Sequence, residues 1–432
     1  MATKPKLALI PSAYKAGKVY SVLPSDGVGD FTFSRSGNAT RVNKDGFIET
    51  VGSNVPRLNY PLIDGVVQGC PSLLLENAST NLVTYSEDFS NSYWVKTGLL
   101  APTSGFISPD GTANASKLVE NTSSGNHFIT RGVVASLGSA ANYALSFYIK
   151  KGERSKITAS IANSGNYFVN FDLEDVTATI VGAEIQEATI KEIGNDWFYC
   201  TILSEIQIGI TPSARIYLAD DSFSISYQGD GTSGLYIWGA MLEENDYSTS
   251  YIPSLTGSQT TRSAETCNGA GNANTFNDSE GVLYCETADI NSDITKMITI
   301  NDGGQTNELR IDFKINNEIQ AVFTVGGNPQ SIISTTSYNT SEINKIAFKY
   351  KENDFALWVN GIEVGTDNSG STTTTNEFNR LEFERGSGLF QFYGKIKQIQ
   401  YFNSALTDLE LEEMTGFKSF VQMANQLNYT VI

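Results

Sequence analysis

Glu382 and Glu384 alternate with Leu381 and Phe383, so on a β-strand both carboxylates project from one face, about 6 to 7 Å apart by strand rise. Glycoside hydrolysis with retention uses a carboxylate pair near that spacing, one group as acid and base and the other as nucleophile. Arg380 and Arg385 flank the pair, and a solvated, charge-balanced strand accounts for the same residues. His127 is the one histidine of the chain, so a Ser-His-Asp or Cys-His arrangement has only that ring to build on, and no nucleophile elbow accompanies it. Gly-rich phosphate loops are missing as well.

Sugar recognition asks for other groups: aromatic faces for the C–H side of a sugar ring, and amides, hydroxyls or carboxylates for its hydroxyls. Trp94, His127 and Tyr167 lie in polar, turn-rich stretches and are the candidate carbohydrate contacts, although packing is the commoner role for an aromatic side chain in a β-sandwich. Trp197, Trp238 and Trp358 stand within apolar strands and are expected in the core. Asp220-Asp221, Asp289 to Asp293 and Asn301-Asp302 offer oxygens to a hard cation such as calcium, but without an ordered ligand spacing, and turns use the same residues. No catalytic residue, metal or cofactor is expected. Cys70, Cys200, Cys267 and Cys285 form no CxxC pair and read as buried thiols, with a Cys267 to Cys285 bridge as the alternative.

The 432 residues carry a formal charge of -18. Such a surface repels a nucleic-acid backbone, so nucleic acid is not an expected partner. The first 60 residues differ, with eight basic side chains against four acidic ones, a net of +4 that leaves -22 on the remainder. That segment could dock on an acidic partner or simply be solvated. Met1 to Tyr20 holds only the short apolar run Leu7-Ala8-Leu9-Ile10, too little for a signal-peptide core or a membrane span, so synthesis in a cytosol without membrane insertion is expected.

The elements that must position these groups are strands. The length predicts two or three domains. Residues 1–84 are rich in Gly, Pro, Asn and Asp, with little sustained periodicity, and read as an extended or loosely folded attachment region. From 85 to 255 short strands recur: Leu145, Phe147 and Ile149 alternate with Ser146, Tyr148 and Lys150, as do Ile157, Ala159 and Ile161, then Val169, Phe171 and Leu173. Turn signals at Ser108 to Gly111 and Gln228 to Gly231 make this a β-sandwich or jelly roll. Residues 256–276 are small and polar, like a linker. A second sandwich is expected over 277–416, where Leu309, Ile311 and Phe313, then Ile346, Phe348 and Tyr350, then Phe355, Leu357 and Val359 alternate, and Asn360-Gly361 marks a hairpin. Thr407 and Glu410 form a capping box, with Leu406 and Leu411 as a hydrophobic staple and Gly416 as the stop, predicting one short helix. The tail, 417–432, reads as a packed strand or an oligomer contact. The fold class is therefore all-β, with an attachment region, two sandwiches and one short C-terminal helix.

Three stretches resemble the head-spike and tail-fibre proteins of tailed bacteriophages and their prophage relatives. The first comprises Phe31-Thr-Phe-Ser-Arg-Ser, Ala39-Thr-Arg-Val-Asn-Lys-Asp-Gly, Asn54-Val-Pro-Arg-Leu-Asn-Tyr, Cys70-Pro-Ser-Leu-Leu-Leu-Glu and Thr80-Asn-Leu-Val-Thr-Tyr-Ser-Glu-Asp-Phe, and in that family it precedes a sandwich module. The second holds Trp94, Tyr143-Ala-Leu-Ser-Phe-Tyr-Ile-Lys, Asp196-Trp-Phe-Tyr-Cys, Ile237-Trp-Gly-Ala-Met-Leu-Glu and Thr249-Ser-Tyr-Ile-Pro, and looks like a carbohydrate-binding jelly roll. The third, Leu357-Trp-Val-Asn-Gly and Tyr393 to Leu411, is similar to the ending of laminin-G-like and concanavalin A-like lectin domains. Concanavalin-like glucanases carry Glu-x-Asp-x-x-Glu, whereas Glu384 here is followed by Arg385-Gly-Ser-Gly.

The missing catalytic constellations point away from an enzyme, and the resemblance implies a virion structural protein: a head fibre or spike, capsid decoration or tail fibre. It implies anchoring to capsid or tail proteins of the same virion by the N-terminal region, homo-oligomerisation as a trimer, a place on the virion surface, and display of sandwiches toward host-surface glycans. A virion polysaccharide depolymerase and a purely structural capsid-stabilising protein are the alternatives.

Overall fold

The computed structural model describes residues 4–133, 135–290, 294–373, 377–386 and 388–416. Alternation sets the strands as expected. Leu309, Ile311 and Phe313 point into a core, while Arg310 and Asp312 take the other face of the strand Glu308–Lys314. Asn360 and Gly361 both adopt positive φ, closing the hairpin between Phe355–Val359 and Ile362–Asp367. The helix Asp408–Thr415 has the expected capping box, and Leu406 and Leu411 share one apolar cluster with Trp358 on the outer face of a sheet. Gly416 ends it in an extended rather than a left-handed conformation. The tail, 417–432, lies outside the described residues.

The division of the chain into consecutive parts is corrected. One sandwich is made of an eight-stranded and a nine-stranded sheet, and both draw strands from residues 7–75 as well as from 266–402. The strand Gly394–Phe402 pairs on one side with Glu280–Asp289 and on the other, end to end, with Leu7–Leu9 and Ser72–Leu75. Arg57–Asn59 then pairs with Ser72–Leu75. In the opposite sheet, Thr266–Ala270 runs between Phe31–Ser34 and Arg380–Glu382. Leu7, Leu9, Phe31, Phe33, Leu73 and Leu75 therefore sit in the same core as Phe313, Phe348 and Tyr401. The N-terminal region is no loose arm, and residues 256–276 are no flexible linker, since Arg262, Glu265, Cys267 and Ala270 are buried. Short segments with weak periodicity become strands because a sheet partner satisfies their N–H and C=O groups.

The other sandwich is inserted into this one. Its two six-stranded antiparallel sheets use only strands between Val95 and Glu244. The chain leaves along Ser79–Asn81 and returns along Thr260–Arg262, two strands that pair with each other, Thr80 Oγ1 lying 2.8 Å from Thr261 Oγ1. An insertion whose ends lie side by side disturbs its host little.

Charge fills the junction. Arg57 donates from Nε to Glu265 at 2.8 Å, makes a second bond to the same carboxylate, and reaches Glu76 at 2.7 Å. Arg35 reaches Glu265 at 2.7 Å and Arg262 reaches Glu76 at 3.0 Å, all five side chains being buried. Ser250, where the chain returns from the module, donates from both N and Oγ to Glu76. Beside them, Glu243 accepts from Ser79 and Thr249. Several of these residues fall within the segments quoted above, so those segments build this hub. Trp197 and Trp238 are buried here as well, with Tyr148 and Tyr251 on the outer face of a module sheet, rather than in a sandwich interior.

Among the cysteines, Cys200, Cys267 and Cys285 are buried free thiols, and burial pushes each thiol up. Cys70 differs from expectation in being exposed, since it lies in the irregular connection before the strand Ser72–Leu75.

Candidate carbohydrate-binding face

The structure buries all three candidate contacts. Trp94, His127 and Tyr167 are 2%, 0% and 2% exposed, so none can stack on a sugar. Trp94 stacks on Phe89 with ring centroids 5.1 Å apart and donates from Nε1 to the Tyr85 carbonyl. The nitrogens of His127 face the carbonyls of Gly98, at 2.6 Å, and Tyr227, at 3.3 Å. Tyr167 accepts at its hydroxyl from the Gln207 N–H. Strand parity explains two of these: His127 and Tyr167 precede Phe128–Gly132 and Phe168–Asp172 on the side of Ile129 and Val169, which point into the module core.

The same parity places other aromatics outside. Phe128, Tyr217 and Phe168 occupy the outward positions of three strands, alternating with the core residues Ile129, Ile216 and Val169. Phe128 faces Tyr217 across the ladder, with centroids 4.7 Å apart, and Phe168 meets Tyr217 edge-on at 5.8 Å. Phe128 and Phe168 are half-buried, whereas Tyr217 is itself buried between them, so the two phenylalanines are the rings that reach the surface. Arg215 lies over Phe128 and donates to Thr130 Oγ1 at 3.3 Å. Asn170 accepts from Thr158 at 2.7 Å through its side-chain carbonyl, which leaves its amide N–H groups directed by that bond. This is an aromatic strip beside guanidinium, amide and hydroxyl groups. The signal was present in the sequence as aromatic residues at the polar parity of amphipathic strands.

Glu382 and Glu384 do share a face, on the outside of the nine-stranded sheet. Asn301 Nδ2 donates to Glu382 at 2.8 Å, and Asn268 Nδ2 donates to Glu384 at 2.6 Å. Burial, helped by repulsion from Glu384, raises the Glu382 carboxyl above the usual carboxylate range against the Asn301 bond. Around them Arg385 clamps Glu308 at 2.7 and 3.1 Å, Arg310 also binds Glu308, and Arg310 Nε reaches Asp312 at 3.0 Å. The face is knit by its own side chains. Asp220 receives the N–H groups of Ser222 and Ser224, Asp302 those of Gly304 and Asn307, and Asp289 pairs with Lys296. Asp293 lies outside the described residues. Among the described residues no three His, Cys, Asp or Glu side chains cluster as metal ligands.

Fold and faces together define an all-β protein with a lectin-like sandwich and an inserted jelly roll. Residues 286–412 match the family described as the concanavalin A-like lectin/glucanases superfamily. The strands from residues 7–75 that complete that sandwich lie outside the matched segment. No curated protein is significantly similar in sequence. Among solved structures, the chain is similar to the CBM40 of the Ruminococcus gnavus IT-sialidase bound to α2,3 sialyllactose. The identity is 17%, covering 34% of this chain and 94% of that one, with a TM-score of 0.30. Domain 4 of AbnA, a GH43 extracellular arabinanase from Geobacillus stearothermophilus in complex with arabinotriose, is 10% identical over 35% of this chain and 73% of that one, TM-score 0.29. Domains LG4-5 of the mouse laminin α1 chain are 10% identical over 66% and 90%, TM-score 0.24.

Proposed function

We propose that this protein binds glycans through the open face of its inserted module, without catalysis, as a surface component of a tailed-bacteriophage virion. The observation that carries the binding reading is the pair of half-buried rings Phe128 and Phe168, packed on either side of the buried Tyr217, with Arg215 and Asn170 beside them. Aromatic faces cover the C–H side of a sugar, and the polar groups select its hydroxyls. The outer face bearing Glu382 and Glu384 favours a non-catalytic role, because asparagine amides hold both carboxylates and Arg385 is committed to Glu308.

The virion reading, as head fibre or spike, capsid decoration or tail fibre, rests on the resemblance of the motif segments that build the junction. Capsid or tail proteins of the same virion are the proposed anchoring partners, and a homotrimer the proposed assembly. Residues 7–75 belong to the lectin-like sandwich, so attachment would engage that body rather than a separate arm.

A glycan array probed with the full chain and with a Phe128→Ala/Phe168→Ala variant tests binding. Signals lost in the variant support it, and an array with no signal for the wild type overturns it. Release of soluble sugar from a capsular polysaccharide, abolished in Glu382→Gln or Glu384→Gln, would instead establish the depolymerase. Cryo-electron microscopy of particles tests the virion reading by locating the protein and counting its copies.

A further inference from the structure

A recess lies where the module leans on the lectin-like sandwich. It encloses about 480 Å³, within the size of small-ligand sites. One wall is the outer face of a module sheet, with Lys191 directly opposite Tyr199 in the ladder; the other carries Lys395 from the strand Gly394–Phe402. The charges lining it are unequally committed. Glu76 is held by Arg57 and Arg262, Asp289 by Lys296, and Arg41 by Glu49 at 2.6 Å. Lys191 and Lys395 have no ion pair or hydrogen bond among the described residues. Glu187 lines the recess too, but four residues along the strand from Lys191, about 13 Å by strand rise, which is too far to neutralise it. Lys395 is exposed toward the recess, yet surrounding protein desolvates its ammonium and, with repulsion from Lys191 and Lys397, lowers its pKa against the pull of Glu76 and Glu342. Two like charges facing one space in a chain of net charge -18 are an arrangement that a bridging anion relieves. Tyr199, tilted against Tyr148 with centroids 4.8 Å apart, lends the same wall an aromatic surface.

We propose that this interdomain recess binds an anionic sugar residue, its carboxylate or sulfate held between Lys191 and Lys395 and its ring against Tyr199. Lysine serves here as a point charge, so either anion fits. The choice of a sugar among anions rests on the glycan-binding reading above, whereas the site itself is separate from the aromatic strip.

The test is calorimetric titration of the full-length protein with three probes: a trigalacturonate, a sulfated disaccharide, and a neutral trisaccharide. The wild type, Lys191→Met/Lys395→Met and Phe128→Ala/Phe168→Ala are compared at low and high salt. Binding of at least one acidic probe is expected, weakened about tenfold or more in the lysine variant, retained in the phenylalanine variant, and reduced by salt. Which acidic probe binds identifies the anion. Both lysines are exposed, so an unchanged melting temperature should accompany the loss. No binding of either acidic probe, equal binding by the lysine variant, or lysine-dependent binding of the neutral sugar would overturn the proposal. Loss of binding in the phenylalanine variant alone would place the acidic sugar on the open face and overturn it equally.

Discussion

Arg57 and Glu265 stand 208 positions apart in the chain and meet as a buried two-point ion pair, Nε to Oε1 at 2.8 Å with a second guanidinium nitrogen on Oε2. That contact ties an N-terminal strand of the lectin-like sandwich to the segment by which the chain returns from the inserted module. Neither residue touches water, so each neutralises a charge that would otherwise be stranded.

Removing one partner should therefore cost more than a surface pair would. Glu265→Ala, which takes from Arg35 its carboxylate partner and leaves Arg57 only Glu76, should destabilise the protein by about 3–5 kcal/mol. Lys44→Ala, whose pair with Asp45 is exposed, should change stability by under ~1 kcal/mol. Denaturant melts of both variants decide it, and similar small losses would show that the junction contributes little.

Acid should act in two opposite steps. Burial pushes Asp312 up from its ordinary 3.8 to about 6, against the pull of Arg310. The folded state thus takes up this proton first, and stability rises as pH falls from above 6 toward 4. Burial likewise raises Glu243 and Glu382. Glu76 goes the other way: burial alone would raise it, but Arg262, Arg57 and Ser250 hold it down, from 4.5 to about 2. Its contribution is complete above about 4.5 and is lost as pH falls toward 2. Melting temperatures across this range should pass through a maximum, and Asp312→Asn should flatten the rise between pH 6 and 4. A wild-type curve that only declines below pH 6 would contradict this.

The insertion predicts unequal behaviour of fragments. Residues 82–258 contain both module sheets and should fold alone. Residues 277–416 should not, because Gly394–Phe402 would lose Leu7–Leu9 and Ser72–Leu75, and the opposite sheet would lose Phe31–Ser34 and Thr266–Ala270. Circular dichroism and amide dispersion of the two fragments check this. A well-folded 277–416 fragment would mean that the N-terminal strands are dispensable.

Buried and outward aromatics should separate in their effects. Trp94→Ala, which opens a cavity beside Phe89, should cost about 3–5 kcal/mol of stability. Phe168→Ala on the open face should leave the melting temperature near that of the wild type while weakening glycan binding about tenfold. Paired melts and binding titrations test it; a variant that melts early and still binds would remove Phe168 from the site.

What was legible in the amino-acid order was whatever a few neighbouring residues decide. Period-two alternation located the strands around Leu145, Ile157, Val169, Leu309 and Ile346, Asn360-Gly361 placed a hairpin, and Thr407 with Glu410 started the helix. Alternation also marks Phe128, Tyr217 and Phe168 as outward and Tyr167 as inward, because a strand's two faces are set by parity alone. Only the tertiary structure decided which strands become neighbours. Leu7–Leu9 finds Gly394–Phe402 almost 400 residues away, and Arg57 finds Glu265, because backbone pairing is chemically generic and partner choice is made by the whole core closing at once. Burial of Trp94, too, depends on what covers a loop. The recess between Lys191 and Lys395 exists only once two sandwiches, one threaded into the other, have come face to face.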